Sequence, residues 1–379
     1  MRILYLGSHS VLEYDQVKLW TDLGHDVFSI GAYTDPAHPG DNKRPPIDAP
    51  FHEDLATLAH ATRVKHEAEP VNWAIDWAKA DLHPDLIDWA EAIIVDCFPV
   101  QWVAAQWNRL SHKRVIWRTI GQSHPDIEDE MRRLKGLQIV RYSPAEQRFY
   151  EKIGHWAGSD ALIRFGKDPA DWYGWTGSEA VVGNLSQHNT DNGRDAWLNW
   201  PFFEQATKGL PVSVAGTNSE HKGGLGSLDY DAMRAYLRRI RVMLYTGTQP
   251  ASYTLGLIEA MMTGVPIVSI PHSYMWMPEL FEGDRLGGSV GEDAADTRSI
   301  LEGRLEHPEW GGARDAAIEY FGVETIGAQW ADFLGGRMVV CGVCGESTTH
   351  TQFVDQDSKH KHGHLVGVTA TGAYIAVPA

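Results

Sequence analysis

The chain has 379 residues, with 33 Lys and Arg against 50 Asp and Glu, a formal net charge of −17. That balance argues against a broad electrostatic grip on nucleic acid or an anionic membrane, although it leaves room for a local basic patch. No apolar run reaches the ~18–20 residues of a membrane span, MRILYLG is too short for a signal h-region, and three cysteines make no disulfide framework. A cytoplasmic globular protein of two or three domains is expected.

Residues 2–7 (RILYLG) read as a β-branched strand ending in Gly-Ser-His-Ser. Val11, Tyr14, Leu19 and Leu23 follow as a helical stripe closed by Gly24, and HDVFSIG supplies a second strand. Strand, glycine turn, helix, strand is the opening of a doubly wound α/β domain. A proline-rich loop fills 34–50, helical patterns run on towards Ala92, and AIIVD and RVIWRT are the next buried strands, with Cys97 expected as a core thiol. IGQSHPDIEDEMRRL then opens a helix with Pro125 in its first turn. Open α/β sheets bind ligands at the carboxyl ends of their strands, so Gly121, Gln122, Ser123 and His124 are expected beside a cleft. LQIVRYS, PAEQRFYEKI and ALIRFG complete a first domain over 1–167.

Residues 168–178, rich in Gly, Asp and aromatics, read as a linker, and the alternation restarts over 179–336. EAVVGNL is a strand, PVSVAGTN another, DYDAMRAYLRRIR an amphipathic helix and VMLYTGT the strand after it. Arg234, Arg238, Arg239 and Arg241 are expected as solvated positions. Gln249 to Pro271 reads as loop, helix, turn and buried strand. Ser252 or Thr254 is suited to cap the helix, Gly264 to end it, and Pro266 cannot continue it. Glu259 is the one carboxylate in this apolar helix, and 292–334 is helical again.

The run EAMMTGVPIV, Glu259 to Val268, resembles the nucleotide-sugar signature of family-4-like retaining glycosyltransferases with the GT-B fold. The resemblance spans roughly residues 1–335, and it implies two Rossmann-like domains facing a cleft. In the family this glutamate hydrogen-bonds the donor's ribose hydroxyls, and the preceding loop, here Ser252, Tyr253, Thr254 and Leu255, meets the diphosphate or sugar. The family's first glutamate falls on Ala251 and its glycines on Ser252 and Thr254, so the usual carboxylate contact to the donor sugar is absent. Asn184 occupies the place of the family's diphosphate-binding arginine, leaving Arg194 and Lys222 as candidate cations for the leaving group. On the acceptor side the resemblance points to Gly7, Ser8, His9 and Gln122, with Arg118 and His124 as catalytic candidates. TIGAQWADFL is expected to be the terminal helix that crosses back to the first domain.

ASYTLGLIEAMMTG is also similar to forms of the signature in bacteriophage glycosyltransferases, some of which modify hydroxymethylated pyrimidines in DNA. The expected activity is therefore transfer from a nucleotide diphosphate sugar to a hydroxyl, with such a DNA base as the leading acceptor. A saccharide or other small acceptor, or a non-catalytic nucleotide-sugar or nucleic-acid binding protein, is the alternative. Residues 337–379 lose the helical period, and Cys341-x2-Cys344 is followed by His360-x3-His364. That spacing suits a tetrahedral structural zinc, with His350 and His362 as competing ligands, in a β-hairpin module too small to hold a core alone.

Overall fold

The computed structural model of the chain describes residues 1–7, 9–30, 44–45, 52–62, 81–96, 99–121, 124–187, 194–281, 288–309, 311–335, 338–340, 347–349, 365–368 and 374–377. Ser8, Cys97, Gln122, Ser123, Cys341, Cys344, His350, His360, His362 and His364 lie outside the described residues.

Two parallel sheets form the frame. The first holds β1 (Arg2–Leu6), β2 (Asp26–Ser29), β3 (Ala92–Asp96), β4 (Arg114–Arg118), β5 (Gln138–Arg141) and β6 (Ala161–Leu162), in the order β2-β1-β3-β4-β5-β6. β3 is buried at every position, which is why AIIVD is continuously apolar rather than alternating. The second holds β7 (Glu179–Leu185), β8 (Val212–Ala215), β9 (Ile240–Tyr245), β10 (Ile267–Ser269) and β11 (Gly288–Val290), in the order β11-β10-β9-β7-β8. In each sheet the strand order reverses once, between β1 and β3 and between β7 and β9. Those reversals are the crevices where α/β sheets take ligands.

The chain crosses between the sheets twice, and the two crossings touch. Outgoing Lys167 donates its N–H to Phe321 O at 2.9 Å, and returning Val323 donates to Lys167 O at 3.0 Å. The helix Val323–Leu334 then packs Ile326, Trp330 and Phe333 into the cluster of Ile3, Tyr5, Val17 and Trp20 behind the first sheet. Arg114 donates to Phe333 O and Leu334 O at 2.7 Å each, satisfying carbonyls at the helix's C-terminal end with a cation of the favourable sign.

The arginines expected to be solvated have specific partners instead. Arg234 Nε donates to Asp171 O, Arg238 Nε to Tyr173 O and Arg241 Nε to Gly177 O, at 2.8, 2.8 and 2.9 Å. Backbone N–H groups of Trp175, Thr176 and Gly177 donate to Thr263 O and Arg238 O, and the planar guanidinium groups satisfy carbonyls of the same 168–178 segment, stapling it to the second sheet's lobe. Arg239 pairs at the surface with Glu179.

Beyond residue 337, Met338–Val340 pairs antiparallel with Ser347–Thr349, and Leu365–Val368 with Tyr374–Val377.

Candidate functional site

The carboxyl edges of the two sheets face one another across a cavity of about 380 Å³, a size typical of sites for ligands of nucleotide dimensions. From the first lobe come His9, Val11 and Leu12 after β1, Ile120 after β4 and Phe165 after β6. From the second come Ser186, Gln187 and Arg194 after β7, Gly216 and Thr217 after β8, and Thr248 to Gly256 in part, with Glu259, after β9. Gly216 has φ +124, and a Cβ there would lie 2.0 Å from Ser186 O, so only glycine lets the β7 and β8 loops meet at this wall.

The helix Leu255–Thr263 begins at the cavity. Thr254, not Ser252, is its N-cap: its hydroxyl accepts from Leu257 N at 3.4 Å, and Gly264 closes the far end at φ +96. The start of such a helix presents backbone N–H groups and positive potential to an anion. Glu259 lies four residues further on, about 6 Å along the axis. A carboxylate and a helix end at this spacing put a hydroxyl acceptor and an anion site on one cavity wall.

Glu259 is 3% exposed and sits in a buried charge cluster. Its Oε1 accepts from Lys167 Nζ at 2.6 Å and from Arg44 Nη2, while Lys167 Nζ also donates to Asp15 Oδ2 at 2.5 Å. Burial pushes the Glu259 carboxyl pKa up, but the charges and hydrogen bonds of Lys167 and Arg44 outweigh it and leave it below its ordinary value. Asp15, with less compensation, is raised by burial. Glu259 Oε2 takes no hydrogen bond among the described residues, and the residue lines the cavity. It is an ionised acceptor on the cavity wall, with one oxygen not used by the charge cluster.

Other residues singled out in the sequence fall into three groups. Arg194, Tyr253, Thr254, Leu255 and His9 line the cavity. Arg194 is anchored through Nε to Gln187 O at 2.7 Å, and burial lowers its pKa. Tyr253 Oη donates to Tyr142 O at 2.5 Å, and His9 Nδ1 caps the helix Ser10–Asp22 by accepting from Leu12 N. A second group supports the wall from behind. Ser252 is fully buried and donates its N–H to Tyr142 Oη at 2.7 Å, tying the signature loop to the first lobe. Asn184 is buried within β7, with Nδ2 on Leu244 O at 3.1 Å. Gly7 is packed against Tyr5.

The third group is outside the cavity. Lys222 pairs with Asp195 at 2.6 Å, over the Trp200 ring. The His124 side chain is 71% exposed and caps the helix Pro125–Met131, accepting from Asp126 N at 3.4 Å. A histidine just before a first-turn proline is as well suited to capping as to catalysis, and capping is what this geometry gives. Arg118 is buried completely, with no hydrogen bond to any of its three guanidinium nitrogens among the described residues. It lies against the Phe165 and Trp330 rings, at 4.7 and 5.9 Å, and burial pulls its pKa down to about 10.

No protein-family model and no curated protein sequence matches the chain. Solved structures do. Sucrose-phosphate synthase from Thermosynechococcus elongatus aligns at TM-score 0.61 and 13% identity, over 89% of this chain and 98% of that one. HepE of Anabaena, solved in complex with UDP-glucose, aligns at TM-score 0.60 and 15% identity, over 89% of this chain and 100% of that one. A glycosyltransferase from Rickettsia africae gives 0.59 at 11% identity, over 88% and 98%. The fold is shared with GT-B glycosyltransferases. At these identities the likeness carries the architecture, and the chemistry has to come from the cavity.

Within this GT-B-type fold, two charged residues that sequence reasoning passed over stand closest to Glu259. By sequence Lys167 is only the last residue of the first domain, and Arg44 lies in a proline-rich segment without periodicity. A signal for Lys167 was present: a cation at the very end of a buried apolar strand, ALIRFGK, needs a partner. Arg44 gave none, because its contact with Glu259 spans 215 positions.

Proposed function

We propose that the chain is a glycosyltransferase that takes a nucleoside diphosphate sugar, in particular a UDP-sugar, in this cavity and transfers the sugar to a hydroxyl acceptor. The observation that carries the proposal is the pairing, on one cavity wall, of the Glu259 carboxylate with the N-terminus of its own helix and with Arg194. Glu259 Oε2 accepts from the ribose hydroxyls. The helix N-terminus and Arg194 take up negative charge as the anomeric C–O bond breaks and the nucleoside diphosphate leaves with the electron pair. The acceptor oxygen, entering from the first lobe beside His9 and Ile120, forms the new glycosidic bond and loses its proton to solvent or a base. The enclosed cleft holds the two reactants together, which lowers the barrier mainly through orientation. Retention of anomeric configuration is proposed on the signature resemblance.

The acceptor is proposed as a hydroxyl of a saccharide or of a hydroxymethylated pyrimidine in DNA. The phage-type signature favours the base, and a net charge of −17 favours the saccharide. For the tail we propose a structural zinc on Cys341, Cys344, His360 and His364, with His350 and His362 as competitors. The support for this reading is the spacing of the two cysteines and two histidines in the sequence. When bound, zinc would staple the hairpins, with no part in the transfer. Intact-mass analysis with a panel of nucleotide sugars, an oligonucleotide bearing 5-hydroxymethylcytosine and a saccharide acceptor tests these readings. A sugar-sized gain on either acceptor supports transfer and identifies the class, and one zinc per chain supports the tail assignment. Donor binding with no turnover against water or any acceptor would favour a binding protein.

A further inference from the structure

Lys167 stands where the chain leaves the first sheet for the second, with its backbone paired on both sides to the returning segment at Phe321 and Val323. That pairing fixes its position whatever its side chain does. The side chain is nonetheless 1% exposed, and its ammonium bridges Asp15, on the helix after β1, and Glu259, on the helix before β10. Burying an ammonium is costly, and one placed between carboxylates from opposite lobes imposes geometry on both. The terminal torsion of a glutamate is broad and intrinsically undirected, so partners have to choose which oxygen faces a ligand. Here Lys167 and Arg44 both take Oε1.

We propose that Lys167 is a positioning residue for donor recognition: it holds Oε1 of Glu259 at the lobe crossing so that Oε2 stays turned into the cavity to accept from the ribose. Asp15 in turn fixes the ammonium from the first lobe. The assignment rests on the reading of Glu259 as the ribose acceptor. It concerns a residue that touches no ligand itself.

The test is calorimetric titration of UDP and 2′-deoxy-UDP into the full chain, the affinity ratio being the readout. Loss of a hydroxyl bonded to a charged acceptor gives the wild type a preference for UDP of about 10–150-fold. Lys167→Met is expected to bring that ratio within about threefold of unity, and to add no further loss in a Glu259→Gln background. A purely structural lysine would weaken both ligands equally and leave the ratio alone. A folded Lys167→Met with the wild-type ratio overturns the inference while leaving the ribose reading intact. A wild type that binds UDP and 2′-deoxy-UDP equally, or neither, overturns the ribose reading and the inference with it. If Lys167→Met does not fold, Asp15→Asn decides. It is expected to keep its melting temperature within a few degrees and lower the ratio by about three- to tenfold, and an unchanged ratio refutes the role.

Discussion

Replacing Glu259 by Gln keeps the shape of the side chain and removes one negative charge from a cluster that, among the described residues, pairs Glu259 and Asp15 with Lys167 and Arg44. In the folded protein Arg44 loses its contact with Glu259 but keeps the Asp15 charge nearby and the Trp172 and Tyr230 rings at 5.5 and 5.7 Å, while Lys167 keeps Asp15 at 2.5 Å. Breaking a buried pair typically costs about 3–5 kcal/mol, and the surviving Asp15 contact places this variant near the lower figure, about 3 kcal/mol. Donor binding loses a charged acceptor for the ribose, about 1.5–3 kcal/mol, or about 10–150-fold in UDP affinity. The acid side of the stability curve changes as well. The folded carboxyl has a pKa below its ordinary value of 4.5, so its contribution is present above that value and lost as pH falls through the lower folded one. The variant should lack that part of the acid-side slope. Urea melts across acidic pH, with UDP titrations on the same samples, measure all three effects. A folded Glu259→Gln with wild-type UDP affinity would refute the site as drawn.

Arg118→Met should be within about 1 kcal/mol of wild-type stability or more stable, because the guanidinium is desolvated without hydrogen bonds; urea melts check this, and a loss above about 2 kcal/mol would mean its ring contacts outweigh desolvation. His272 is buried, and burial pushes its pKa from 6.5 down to about 4, so stability present above 6.5 should fall as pH drops between those values. His272→Asn should flatten that stretch of the curve in pH-dependent melts. Arg194→Ala should lower donor turnover by about tenfold or more, whereas Lys222→Ala, paired with Asp195 away from the cavity, should leave it within about threefold in the same steady-state assay.

The architecture was largely written in local pattern. AIIVD, RVIWRT and PAEQRFYEKI coincide with β3, β4 and the helix Pro144–Ile153, because continuous apolar strands and a Ser-Pro helix start are signals confined to a few neighbours. β11 was missed: Gly288–Val290 is three residues long, glycine-led, and is a strand only because it pairs with β10. On the cavity wall, Glu259 and Thr254 belong to the run that sequence singles out, while the Lys167 bridge and the Tyr142 contact to Ser252 were not legible, since both join residues about a hundred positions apart. His124 and Lys222 had the right residue type at plausible loops. What local sequence did not contain was whether they would face the cavity, cap a helix or meet an aspartate.

The most direct measurement is a crystal structure with UDP bound. The diphosphate is expected on the backbone N–H groups at Thr254 to Gly256 beside Arg194, with the ribose hydroxyls on Glu259 Oε2. A nucleotide bound elsewhere, or one in this cavity with its ribose turned away from Glu259, would contradict that placement.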